Sequence, residues 1–143
     1  MTGPRGVVLL GSTGSIGKYL PMKNIIPAIR PLALKLSTKG GHDVAKAIMT
    51  TDTRPKEIAV EFQLGGKHVR LGGICKGAGM IQPGMSATGA RPAAAPLHAT
   101  MLCFITTDAA VDVGPLEAAL REAVAHSFNR ITIDGDMSTN DTV

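Results

Sequence analysis

The chain has 143 residues, 44% hydrophobic and 18% charged, which fits one compact domain and excludes a disordered segment. Fifteen Lys and Arg against eleven Asp and Glu leave a net charge of +4. The basic residues are scattered and lack aromatic neighbours, so they read as a solvated face and not as a nucleic-acid surface.

No stretch reaches the roughly 18 apolar residues of a membrane span, and residues 1–6 are too short for a signal peptide. With no Trp, one Tyr and three Phe, the core must be packed from Ala, Val, Ile, Leu and Met. Cys75 and Cys103 have neither metal-ligand nor redox spacing, so we expect reduced thiols, an intracellular compartment and no metal.

In chain order, Val7 to Leu10 reads as a short buried strand entering a loop with glycines at 11, 14 and 17. Ile25, Ile26, Ile29, Leu32 and Leu36 recur at helical spacing, with Pro27 and Pro31 inside the pattern, so a kinked or interrupted helix is expected. A short helix over about Asp43 to Met49 follows Gly40 and Gly41. Next, Ile58, Val60, Phe62 and Leu64 alternate with polar or small residues, as a half-buried strand does. Gly65-Gly66 supplies a two-residue turn. Counting back across it sets Phe62 opposite Val69, Val60 opposite Leu71, and Glu61 opposite Arg70. The stretch GGICKGAGMIQPG is a glycine-rich loop, and SATGARPAAAPLH, residues 86–98, has linker composition. Met101 to Thr107 is predicted as a strand, Pro115 to about Ser127 as an amphipathic helix, and Arg130 to Ile133 as a further strand.

The glycine spacing is a variant of a dinucleotide-binding fingerprint. That fingerprint needs a full helix directly after the loop and a second strand ending in a ribose-reading acid. Here Pro21 and Pro27 interrupt the following segment, and PLALKLSTK ends without an acid. A nucleotide-binding reductase fragment therefore stands as an alternative only.

Five stretches carry a stronger signal: STGSIGKYLPM, AIMTTDTRPKEIAVE, GGICKGAGMI, ATMLCFITTDA and SFNRITIDGDMSTNDT, in this order. Together they resemble the ornithine acetyltransferase family, the bifunctional glutamate N-acetyltransferases of arginine biosynthesis. The resemblance implies an α/β fold, a layered α/β sandwich. It also implies a chain that cuts itself before a threonine, which then serves as nucleophile in moving an acetyl group from N-acetylornithine to glutamate. The matching cleavage site is Ala99–Thr100. By the same resemblance Thr13 and Gly14 form the oxyanion hole, and Thr50 and Lys76, with Thr100, contact substrate. No cofactor is implied, although acetyl-CoA is an alternative acetyl donor. The implied partners are the two small substrates and the two segments of one precursor, with no nucleic acid or membrane. An oligomer in the cytoplasm is expected, or in a mitochondrial matrix or plastid if the source is eukaryotic.

The chemistry fits these residue types. A hydroxyl needs a base to take its proton, and a chain-terminal α-amine, with a pKa near 7.7–8.0, suits that task. An internal threonine has no such amine until its hydroxyl attacks the preceding carbonyl and water opens the resulting ester. Acyl transfer passes through an oxyanion, for which each fixed donor contributes about 3–4 kcal/mol. A glycine loop lets backbone approach such a charge closely. Lys76 offers a point charge for a carboxylate, against the plainer reading of a solvated surface lysine. Thr50 has the alternative of bonding its own backbone. His98 beside the scissile bond is taken as incidental, and Asn140 and Asp141 receive no role.

Two departures from the family pattern stand out. Residues 86–98 are an insertion just upstream of the cut, with a Met85-to-Thr88 echo that makes Thr88 a second candidate nucleophile. The chain also corresponds to the middle of the family protein, with residues 1–99 matching the end of the first segment and 100–143 the start of the second. An inactive, unprocessed remnant is therefore the second reading.

Overall fold

The structure is a computed structural model that describes residues 10–15, 17–85, 101–138 and 140–143. Helix α1 spans Met22–Leu34, α2 Gly41–Ala47, strand β1 Lys56–Leu64, β2 Lys67–Lys76, β3 Leu102–Thr107 and helix α3 Val113–His126, followed by a 3-10 turn at Phe128–Arg130. The class is α/β, as expected, with the three strands forming one antiparallel sheet in the order β1-β2-β3.

The hairpin follows from its sequence. Gly65 and Gly66 both adopt positive φ, +57° and +75°, as a two-residue turn with matching strand twist requires. The register pairs Phe62 with Val69, Val60 with Leu71 and Glu61 with Arg70, and the last pair forms an ion pair at 2.8 Å. Side chains alternate faces along a strand, so Ile58, Val60 and Phe62 share a face with Val69 and Leu71 of β2 and Ile105 of β3. The opposite face carries Glu61, Arg70, Ile74, Lys76, Leu102 and Phe104.

Other elements differ from expectation in detail. The proposed strand at Val7 to Leu10 lies outside the described residues except for Leu10, which is exposed and not in a strand. Helix α1 runs unbroken through Pro27 and Pro31. The two rings lie four residues apart on one side, and no residue of α1 is buried, so water can serve the carbonyls that lose their N–H partners. Helix α3 begins two residues before Pro115. A proline there is still within the first turn, where N–H groups have no intrahelical acceptor.

The expected strand at Arg130 to Ile133 is not one. Arg130 N donates to Ser127 O and Ile131 N to Phe128 O, each at 3.0 Å, so the chain first closes a tight turn. Only Ile133 N then reaches a partner backbone, Ile81 O at 2.8 Å. An apolar alternation four residues long becomes a strand only when another strand offers it a ladder.

Burial among the described residues concentrates where β2 ends and β3 begins. Val69, Ile81, Met101, Leu102 and Cys103 are buried there or along β2, joined by the polar Asp52, Lys76 and Ser138. Replacing Gly66 with Val should destabilise the chain by about 1–2 kcal/mol, the cost of left-handed backbone for a residue with a Cβ. Urea unfolding checks this, and an unchanged midpoint would mean that the turn is not formed in solution.

Candidate functional site

The start of β3 is held from two sides. Its Leu102 is the register partner of Lys76, the last residue of β2. On the other side Thr142 forms a parallel bridge with Leu102: Thr142 N donates to Met101 O at 3.0 Å and Cys103 N donates to Thr142 O at 2.9 Å. Met101 N donates to Asp141 Oδ1 at 2.8 Å. Met101, the residue immediately after Thr100 in sequence, is thus fixed by two hydrogen bonds with the segment 140–143, and Cys103 by a third.

Lys76 is buried, 4% exposed, and its Nζ donates to Thr50 Oγ1 at 3.1 Å. This excludes the surface-lysine reading and joins two of the expected substrate contacts. Burial pulls the Lys76 ammonium below its ordinary pKa, and the Asp52 and Asp141 carboxylates offset part of that effect.

Asp52 organises this corner, and the sequence reading assigned it nothing. Its side chain is fully shielded from solvent. It pairs with Lys56, accepts from Gly77 N at 2.8 Å and accepts a longer bond from Thr50 N at 3.4 Å. Lys56 Nζ also donates to Gly77 O at 2.9 Å. Burial alone would raise the Asp52 pKa, but the bonds from Lys56 and the two backbone N–H groups outweigh it and hold the carboxyl below its ordinary value of 3.8. Gly77 has φ +138°, and a Cβ there would lie 2.9 Å from the Ile81 side chain, so the turn after Lys76 needs glycine. The spacing of Asp52 and Lys56, four apart at the start of β1, does not by itself tell this pair from a solvated one.

The glycine loop lies at the same end. Gly11 sits against the Phe104 ring of β3, 3.3 Å from where a Cβ would be. An open cavity of about 410 Å³ is lined by loop residues that include Thr13 and Gly14, and by Leu102, Asn140 and Thr142. The loop does not continue directly into a helix: α1 starts at Met22, after Pro21. With an antiparallel sheet and no strand between α1 and α2, the dinucleotide alternative lacks its scaffold among the described residues.

Ala99, Thr100, Thr88 and His98 lie outside the described residues, as does the whole stretch 86–98. Both flanks of that stretch are anchored. Met85 N donates to Asn129 Oδ1 and Asn129 Nδ2 to Met85 O, each at 3.0 Å. Further back, the Asp134 carboxylate accepts from Met80 N, and from Ile81 N at 2.9 Å. Thr13 and Gly14 thus line one cavity with Leu102, two residues beyond Thr100 in sequence, and Thr50 and Lys76 meet each other on the neighbouring strand end. Among the described residues, no three His, Cys, Asp or Glu could together hold a metal ion. No helix of the described residues is long and apolar enough to cross a membrane.

Replacing Asp52 with Ala should cost about 1–3 kcal/mol, because the Gly77 and Thr50 N–H groups lose their acceptor in a buried place. The stabilisation that Asp52 contributes is complete above the unfolded carboxyl value and lost as pH falls through the lower folded one. Urea unfolding at neutral pH and at about pH 3 should show a smaller acid-induced loss in Asp52→Ala than in the parent chain. Equal losses would mean that the carboxylate is not held as described.

A family model described as the ArgJ family matches residues 2–143. The chain is 53% identical over 138 residues to a glutamate N-acetyltransferase of Methanocaldococcus jannaschii, covering 95% of this chain and 31% of that protein. It is 52% identical over 134 residues to the arginine biosynthesis bifunctional protein ArgJ of Symbiobacterium thermophilum, covering 94% of this chain and 30% of that one. The chain thus spans about a third of the length of the curated relatives it matches.

Proposed function

The chain belongs to the ArgJ family, and from that premise we propose that it is the part of a glutamate N-acetyltransferase that carries the self-cleavage site, the nucleophile and part of the acyl pocket. The observation that supports this best is a convergence. The glycine loop lines a cavity with Leu102, two residues after Thr100 in sequence, and Lys76, bonded to Thr50, is the register partner of that same Leu102.

In this reading the Thr100 hydroxyl first attacks the Ala99 carbonyl. The peptide C–N bond breaks to leave an ester and a free Thr100 α-amine, and water then opens the ester to release the Ala99 carboxylate and the Thr100 hydroxyl. That amine then acts as base. It takes the hydroxyl proton while Thr100 Oγ attacks the acetyl carbon of N-acetylornithine, and returns it to the departing ornithine amine. The acetyl-threonine ester is next attacked by the amine of glutamate, which restores the hydroxyl. The Thr13 hydroxyl and the Gly14 N–H bind the oxyanion of each tetrahedral stage. Lys76 pairs with the substrate carboxylate, with Thr50 fixing the ammonium; its partial desolvation makes such a charge pair stronger than one in water.

The rest of the family reading is carried with it: two segments from one precursor, an oligomer, no cofactor, and acetyl-CoA as an alternative donor. Location in the cytoplasm belongs to the same family reading.

Intact mass after incubation tests the cut. The chain should stay mostly whole, because residues 86–98 add conformational freedom to be lost in positioning Ala99. Deleting them should increase the fraction split into 1–99 and 100–143, and Thr100→Ala should abolish the split. A cut before Thr88, or one that persists in Thr100→Ala, would move the nucleophile. The absence of any cut with or without the insertion would favour the unprocessed remnant.

Lys76→Ala should weaken binding of N-acetylornithine by about ten-fold or more, the loss of one charge-assisted bond, while changing the cut fraction less. Titration calorimetry on the split form of the chain lacking residues 86–98 measures the first, and the intact mass of that variant the second. Unchanged affinity would leave Lys76 a purely structural cation.

A further inference from the structure

Cys75 and Cys103 take no part in the acyl chemistry, yet they are register partners across β2 and β3. The hydrogen bonding of β3 defines what kind of partners. Cys103 N donates to Thr142 O, on the side away from β2, and Asp108 N donates to Arg70 O, towards it. Along a strand these directions alternate, so the even positions of β3 bond to β2 and Cys103 does not. Cys75 and Cys103 are therefore a non-hydrogen-bonded pair, the class in which opposed Cα atoms come closest, about 4.5 Å, with side chains on one face. That separation falls inside the span a disulfide tolerates, about 4.4–6.8 Å.

Both residues are free thiols: Cys103 is buried and Cys75 is partly open to solvent. Cys103 donates to Cys75, which pulls the Cys75 thiol below its usual pKa and pushes that of Cys103 up; the Lys56 ammonium further favours the Cys75 thiolate. The roles are therefore unequal, with an accessible attacking sulfur and a shielded second one.

We propose that Cys75 and Cys103 form a reversible dithiol–disulfide site that takes small-molecule disulfides as its oxidant. The Cys75 thiolate attacks one sulfur of the small disulfide and expels its partner as a thiolate. Cys103 gives its proton to solvent and attacks the Cys75 sulfur, expelling the second small thiol. The two protein thiols lose two electrons and two protons, and the small disulfide is reduced to two thiols. The bond locks β2 to β3 one register pair away from Lys76 and Leu102, and it joins residues 1–99 to residues 100–143. The proposal stands apart from the acetyl-transfer reading, since neither its geometry nor its test involves Thr100.

The test is incubation of the chain with oxidised glutathione, acid quenching, and intact mass without reductant. A monomer lighter by two hydrogens, holding no glutathione and restored by dithiothreitol, is the expected result; the chain has only two cysteines, so the bond can join no others. Cys103→Ser should retain one glutathione on Cys75, whereas Cys75→Ser should remain reduced. A parent chain that stays reduced, keeps glutathione bound, or links into dimers would overturn the proposal. If either serine variant fails to fold, the parent chain's mass decides by itself.

Discussion

The site end of this molecule depends on one buried carboxylate. Asp52 lies between three pieces of chain and bonds to each of them: the Thr50 turn, the first residue of β1 and the Gly77 turn after β2. A shielded carboxylate is costly unless every lone pair is engaged, and here an ammonium and two backbone N–H groups engage it. The same bonds that keep it ionised fix Thr50 beside Lys76. Asp52 also supplies part of the negative field that keeps a buried ammonium tolerable. Removing the charge would loosen the corner and leave Lys76 less well compensated.

A second constraint acts on the other side of the sheet end. Residues 140–142 add a short parallel rung to β3, which is an edge strand among the described residues. Backbone hydrogen bonds are directional and local, so this rung specifies Met101 and Leu102 closely without needing bulky side chains. That suits a chain so poor in aromatic residues. Burial among the described residues is concentrated at this end, with Val69 and Ala45 buried elsewhere, while Ile58, Val60 and Phe62 of β1 remain exposed on the sheet's apolar face.

The glycine loop shows how one backbone property can support different chemistries. Close approach without a Cβ serves a pyrophosphate when the loop opens a helix beneath a parallel sheet. Here the loop instead packs over β3, with Gly11 against Phe104 and with Thr13 and Gly14 facing the same cavity as Leu102. The neighbouring strand, and not the glycine spacing, separates the two uses.

Much of the fold was legible in the residues because its causes are local. The β1–β2 register follows from a period of two and a two-glycine turn, and it places Glu61 against Arg70 as counted. The strand at β3 and the apolar face of α3 were readable for the same reason, and the order of motifs along the chain named the family. The residues 130–133 were not, since a ladder needs a partner that no local pattern supplies. Asp52 was invisible because a carboxylate's role depends on its burial and on donors contributed by distant turns. The facing of Cys75 and Cys103 belongs to the β2–β3 register, which their separation in sequence leaves open. Sequence by itself determined the local elements and the chemical types available; only the tertiary structure decided which of them meet, because contact, desolvation and hydrogen-bond direction are properties of pairs in space.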